Sequence, residues 1–201
     1  MISVVEILRG IVSVTSDLYS GVDTDALFNN GYLIQHHYLL ENSYLLLPQK
    51  EKDPKRKVHF YADNFVAINQ ELSLRGKTIA GAKKKTPAIL LFCDNLPVRR
   101  ELFKDYEIEA TLHIIIADDA VPDGNGDVQR EKVFHPILYP IYDCFMEAIR
   151  TSPRIFTKEG ALQPETQDRY RLGGKMSMFG DFLNGIEIKN LKLKIKEESC
   201  L

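Results

Sequence analysis

Asp118, Asp119, Glu131, Glu187 and Lys189 are the side chains of this sequence that could gather around a divalent cation and leave a base beside it, as metal-dependent phosphodiester cleavage requires. No helix motif with two ligands one turn apart ties any of them together. Glu187 and Lys189 share one strand face, but Glu alternating with Lys between isoleucines is also what a solvated strand produces. Asp123, Asn125 and Asp127 open like a calcium loop. Position six of that loop is then Val128 where the sharp turn needs glycine, and position twelve is Phe134 where a bidentate glutamate is needed. An ordinary Asp/Gly turn is the reading left.

His36 and His37 are adjacent and point to opposite faces of a strand, while His59, His113 and His135 fall in separate elements. Cys93, Cys144 and Cys200 form no CxxC pair, and are read as packing residues, reduced in a cytoplasmic setting. GAKKKT and RLGGK lack the glycine series of a phosphate loop. The reading therefore assigns no catalytic residue, no metal and no cofactor. What remains are two basic loops, with Lys55, Arg56 and Lys57 in the first and Lys83, Lys84 and Lys85 in the second, which could touch a partner protein or phosphates without reading sequence. The alternative function class is a metal-dependent nuclease or a DNA-binding accessory protein.

The elements that must carry these groups are those of a globular chain. Its 201 residues are 44% hydrophobic and 27% charged, enough to build one core and cover it. Twenty-six basic and 28 acidic side chains leave a formal charge of -2, so no global field draws the chain onto nucleic acid or an anionic membrane. The start, MISVVEILRGIVSV, lacks a basic leader and carries Glu6 and Arg9, so no secretion signal is read there. Runs such as AILLF and HIIIA are too short to span a bilayer.

Val4, Val5, Ile7, Leu8, Ile11, Val12 and Val14 predict an opening helix with one apolar face. Tyr32 to Leu47 reads as a hairpin or strand pair, and Val58, Phe60 and then Phe65 and Val66 as a return to core-forming structure. Ala88 to Phe92 and Tyr106 to Asp118 read as strands, the second half-exposed at one end and apolar at the other. A helix is expected after His135-Pro136, with Ile137, Ile141, Cys144, Phe145, Ala148 and Ile149 inward. Gly185 to Lys196 reads as a terminal strand broken or bulged at Asn190, with lysines that discourage edge pairing. Together these predict an α+β fold, a twisted, mainly antiparallel or mixed sheet flanked by helices. It is expected as a single compact domain over residues 1–201, with exposed loops around 48–57, 119–134 and 151–180. No internal repeat is present.

TPAILLFCDNLPVRR, YEIEATLHIIIAD, HPILYPIYDCFMEAI and DFLNGIEIKNLKLKI, behind an N-terminal amphipathic helix, form an arrangement that resembles the neck and tail-completion proteins of tailed bacteriophages. The nearer likeness is to tail-terminator or head-tail joining proteins. That resemblance implies a structural subunit of a homo-oligomeric ring at the virion neck or tail, assembled in the host cytoplasm. Its implied partners are tail-tube or neck proteins, with nonspecific contact to packaged DNA and no membrane. Sheet edges and loops make subunit contacts in such rings, and the resemblance implies an edge over Ile186 to Ile195; the alternation of Ile186, Ile188, Leu191, Leu193 and Ile195 supplies the face expected at that interface.

Overall fold

A computed structural model of the chain describes residues 3–29, 43–75, 86–93, 98–100, 107–121, 125–155, 164–169 and 183–196. The expected hairpin lies outside these residues between 30 and 42, as do Lys83, Lys84, Lys85 and Asp123.

Helix α1 (Val4–Ser20) begins at a capping box: Ser3 Oγ accepts from the Glu6 amide at 3.2 Å, and the Glu6 carboxylate accepts from the Ser3 amide at 2.9 Å. Val4, Ile7, Leu8, Ile11, Val12, Thr15 and Tyr19 recur every three or four residues and are buried. Thr15 returns its hydroxyl to the Ile11 carbonyl, which removes the cost of burying it. Val14, expected on the apolar face, is exposed instead, because its position falls outside that stripe. A short helix α2 (Thr24–Asn29) and a 3₁₀ turn, Ser43–Leu46, follow. Residues 48–57 then run as turns and irregular chain, tied back where Gln49 bridges Val22.

Strands β1 (His59–Asp63) and β2 (Ala88–Phe92) pair in parallel and therefore need a crossover, in which helix α3 (Phe65–Arg75) is placed. The expected core-forming run at Phe65 and Val66 is thus the start of a helix, with Phe65 half-buried and Val66 61% exposed. Strand β3 (Val98–Arg100) and β2 both pair antiparallel with β4 (Glu107–Asp119), at opposite ends of it. Across β4 lies β6 (Leu183–Lys196), and beyond β6 lies β5 (Glu165–Arg169). Among the described residues the result is a six-stranded mixed sheet in the order β1-β2-β4-β6-β5 with β3 beside β4. With helices packed around it, this is an α+β fold.

The segment expected as loop at 119–134 is helical from its middle onward. Asn125 caps α4 (Gly126–Gln129) by accepting from the Val128 amide at 3.0 Å. The helix continues without a break through a π-helical stretch, Arg130–Leu138, into α5 (Tyr139–Thr151). Pro136 sits inside the π stretch, so it interrupts the α-helical bonding pattern without ending the helix. Strand β5 likewise occupies part of the 151–180 region read as loop; the polar alternation of ETQDR suits a strand that keeps one face wet.

The main core lies between one sheet face and α1 with α5. Ile89, Leu91, Ile114, Ile116, Ile186, Ile188, Leu191, Leu193 and Ile195 from the sheet meet Leu8, Phe134, Ile141 and Phe145 from the helices. The second face carries a smaller core under α3, built from Tyr61, Ile68, Leu72, Leu90 and Ile115. The five residues expected at an interface, Ile186, Ile188, Leu191, Leu193 and Ile195, are therefore core residues, none more than 1% exposed. Strand β6 lies between β4 and β5 over Gly185–Lys189, and beyond that its outer side is held among the described residues by the single bridge from Ile195 to Ile155. Among the described residues no helix is long and apolar enough to cross a membrane.

Candidate functional site

Alternation along β4 puts Ile108, Ala110, Leu112 and Ile114 on the main core, and so turns Thr111 and His113 to the second face. On β6 the alternation changes phase. Ile186 and Ile188 point into the core, and so do Leu191 and Leu193, with two residues between the pairs instead of one. Lys189 and Asn190 together stand opposite the single residue His113, a β-bulge in which Asn190 takes the left-handed φ of 55°. Asn190 donates to Glu165 at 2.9 Å, which fixes the bulge against β5.

The bulge lies beside a charge cluster that crosses three strands. Glu187, 8% exposed, holds His113 Nε2 from β4 at 2.8 Å on one oxygen, with the Lys189 ammonium at 3.3 Å. Its other oxygen accepts from Arg169 of β5, at 2.7 Å from Nε and 2.6 Å from Nη2. Burial pushes this carboxyl up, but the hydrogen bonds from Arg169, His113 and Lys189 outweigh it and hold the carboxyl below its ordinary value. The strip continues onto β2, where the Phe92 ring lies 5.1 Å from His113 and stacks on Phe65 of α3 at 6.0 Å. Past α3, Lys192 and Lys194 stand exposed in register with Thr111 and Glu109. Chemically this is a saturated carboxylate: Glu187 organises the cations around it, and positive charge remains at the surface.

Glu187→Gln is expected to lower stability at pH 7 by about 1 to 2 kcal/mol, discounted because its partners are partly exposed and screened. Because the folded carboxyl lies below its ordinary value of 4.5, the stabilisation is present above that pH and is lost as pH falls through the lowered value. Urea unfolding of both proteins at pH 7 and pH 3 checks this, since the difference should shrink at the lower pH.

Comparison with protein-family models, curated proteins and solved structures gives no match. The site is therefore read from its own geometry. Of the nuclease candidates only Glu187 and Lys189 meet. Asp118 is buried and stands opposite Asn184, with the alternation of β4 turning it to the other face of the sheet. Asp119 is exposed at the end of β4, and Glu131 is exposed on the π stretch. Among the described residues no three His, Cys, Asp or Glu side chains are grouped to hold a metal ion. The Cys144 thiol is pushed well up, by burial first and by the Asp143 charge next, as suits a packing residue.

The first basic loop divides by role. Lys55 and Lys57 are exposed. Arg56 is turned inward, donating to the Val22 carbonyl at 2.6 Å and to the Thr24 hydroxyl at 3.1 Å, with its guanidinium 4.4 Å above the Tyr19 ring. Burial raises the Tyr19 hydroxyl to about 12 although Arg56 opposes it. As a phosphate contact Arg56 is thus largely committed elsewhere. Sequence reasoning missed Arg169, which lay in a segment read as loop; the alternation of Glu165, Gln167 and Arg169 was the available signal.

Proposed function

We propose that this chain is a structural assembly subunit that binds a neighbouring protein through the lysine-bearing half of its second sheet face. The observation that carries the reading is the one-sided end of the β4–β6 ladder. There Leu191, Leu193 and Ile195 fill the core while Lys192 and Lys194 stand exposed between them. Lysines alternating along β6, with Thr111 and Glu109 of β4 opposite them, oppose indiscriminate sheet stacking and favour a partner that presents carboxylates in register. The adjoining Arg169 and Lys189, anchored on Glu187, extend that charge across β5 and β6. The resemblance in the sequence supplies the setting: a homo-oligomeric ring at a bacteriophage head-tail junction that terminates or stabilises the tail, contacting tail-tube or neck proteins. On this reading the chain acts by contact, and its location is the virion neck or tail.

Lys192→Glu with Lys194→Glu is the test, because both residues are exposed and the fold should survive. Electron microscopy of phage particles and of the purified protein should find the wild-type chain at the neck or in rings, and the double variant in neither. Wild-type protein absent from the neck and tail, or a variant that assembles normally, would overturn the reading.

A further inference from the structure

Arg9, Ser13, Ser16 and Ser20 recur along α1 at intervals of four, three and four residues, and so form one stripe on the helix. Facing them, the chain from Pro54 to Phe60 closes an open groove of about 470 Å³ whose lining includes Arg56 and Lys57. Its walls are tied together where the Val58 amide donates to Ser16 Oγ at 3.0 Å, while Ser20 Oγ donates within the helix to the Asp17 carbonyl at 2.7 Å. Asp17, the carboxylate of the lining, is neutralised by Lys52 at 2.6 Å. Arg56 stands behind as a fixed positive charge bound to Val22, Thr24 and the Tyr19 ring. Arg9 and Lys57 are exposed, and no carboxylate among the described residues pairs with either.

We propose that this groove holds the phosphate backbone of a nucleic-acid strand. Arg9 and Lys57 contact the phosphates, and the exposed Ser13 hydroxyl adds a donor between them. The ligand chemistry follows from the lining. The lining offers guanidinium, ammonium and hydroxyl donors, the groups that bind phosphate oxygens, and Asp17 is already paired with Lys52. Ser20 is buried and Ser16 is taken up by the Val58 amide, so the reachable donors are Arg9 and Ser13 on the helix and Lys57 on the facing chain; an open groove with a cation on each wall suits a run of phosphates. With phosphate-directed donors the binding positions a strand without reading its sequence. The formal charge of -2 on the whole chain keeps that binding weak and strongly salt-dependent. This groove is separate from the lysine row on β6, and neither proposal rests on the other.

Fluorescence anisotropy of a short labelled oligonucleotide at low salt tests it, with the full chain carrying Arg9→Ala and Lys57→Ala. The double variant should melt like the wild type, bind about tenfold or more weakly, and lose about two from the slope of log K against log salt. Lys192→Ser with Lys194→Ser should leave affinity and slope unchanged, which separates this groove from the assembly face. Unchanged affinity in the groove variant overturns the proposal, and so does no binding by the wild type at low salt. Displacement of the strand by inorganic phosphate, or by an acidic peptide at equal charge concentration, overturns it in favour of a small phosphate or a protein ligand.

Discussion

Phe145→Ala is expected to destabilise the chain by about 3 to 5 kcal/mol, a large share of the total stability of a domain of this size. Phe145 is fully buried on α5, in a stripe with Ile141, Cys144, Ala148 and Ile149 that packs beneath α1 and against the sheet. Truncating it removes the transfer free energy of a ring and leaves a cavity that two packed helices and a sheet cannot collapse to fill. Denaturant unfolding should show an earlier midpoint with an unchanged slope. A variant that unfolds like the wild type but no longer assembles would move this face from core to interface.

Asp118→Asn is expected to raise stability at pH 8 and to flatten its pH dependence below. The Asp118 carboxyl is pushed from 3.8 up to about 7, chiefly by burial and further by the Asp119 charge, while hydrogen bonds from the Asp119 amide and the Thr86 hydroxyl hold it partly down. Below pH 3.8 both folded and unfolded chains are protonated there, and the group is neutral to stability. Between 3.8 and about 7 the folded chain keeps a proton that the unfolded chain has released, so stability falls as pH rises. Above about pH 7 the cost is fully developed. A separation of about three pH units at 1.36 kcal/mol each makes it about 4 kcal/mol. Asparagine keeps the shape without the charge, so urea midpoints at pH 5 and pH 8 should differ for the wild type and converge for the variant. Glu187 acts in the opposite sense and at lower pH, which keeps the two effects apart. An Asn variant with the wild-type pH profile would show that Asp118 is not the titrating group.

The sequence made the regular elements legible where periodicity and burial agree. The stripes of α1 and α5, the apolar end of β4 and the break at Asn190 all follow from one chain segment meeting one core. It was less informative where a polar residue is held by a distant partner. Arg169 and His113 meet at Glu187 from strands separated by long stretches of chain, and no local spacing encodes that meeting. Strand β5 was hidden for the same reason: its partners, β6 along the ladder and Tyr139, which donates to Asp168 at 2.6 Å, lie outside its own five residues. Gly, Asn and Asp at 123–127 signalled a turn, but Asn125 is also a helix cap, and the helix it starts was obscured by Pro136. The hydrophobic alternation of β6 identified which residues are inward; it could not tell a core from an interface, since both bury the same side chains.

The π stretch also acts as a phase adjuster between two lengths of the same rod. At about 100° per residue in an α-helix, a turn closed one residue later takes up one residue more while the lengths on either side keep the phase of a helix one residue shorter. In this phase Gln129 grips the end of β4 and the start of β6, accepting from the Val121 amide at 2.8 Å and from Asn184 at 2.7 Å. Phe145, farther along the same helix, points into the core. A residue lost from Arg130–Leu138 would be met by an α-helical turn in place of the longer one, whereas one lost from α5 ahead of Phe145 would turn the two grips apart by about 100°. Pro136 has no amide hydrogen with which to close an α-helical turn, and so guards the longer turn. The π stretch is thereby the part of the rod where residue count and phase are uncoupled.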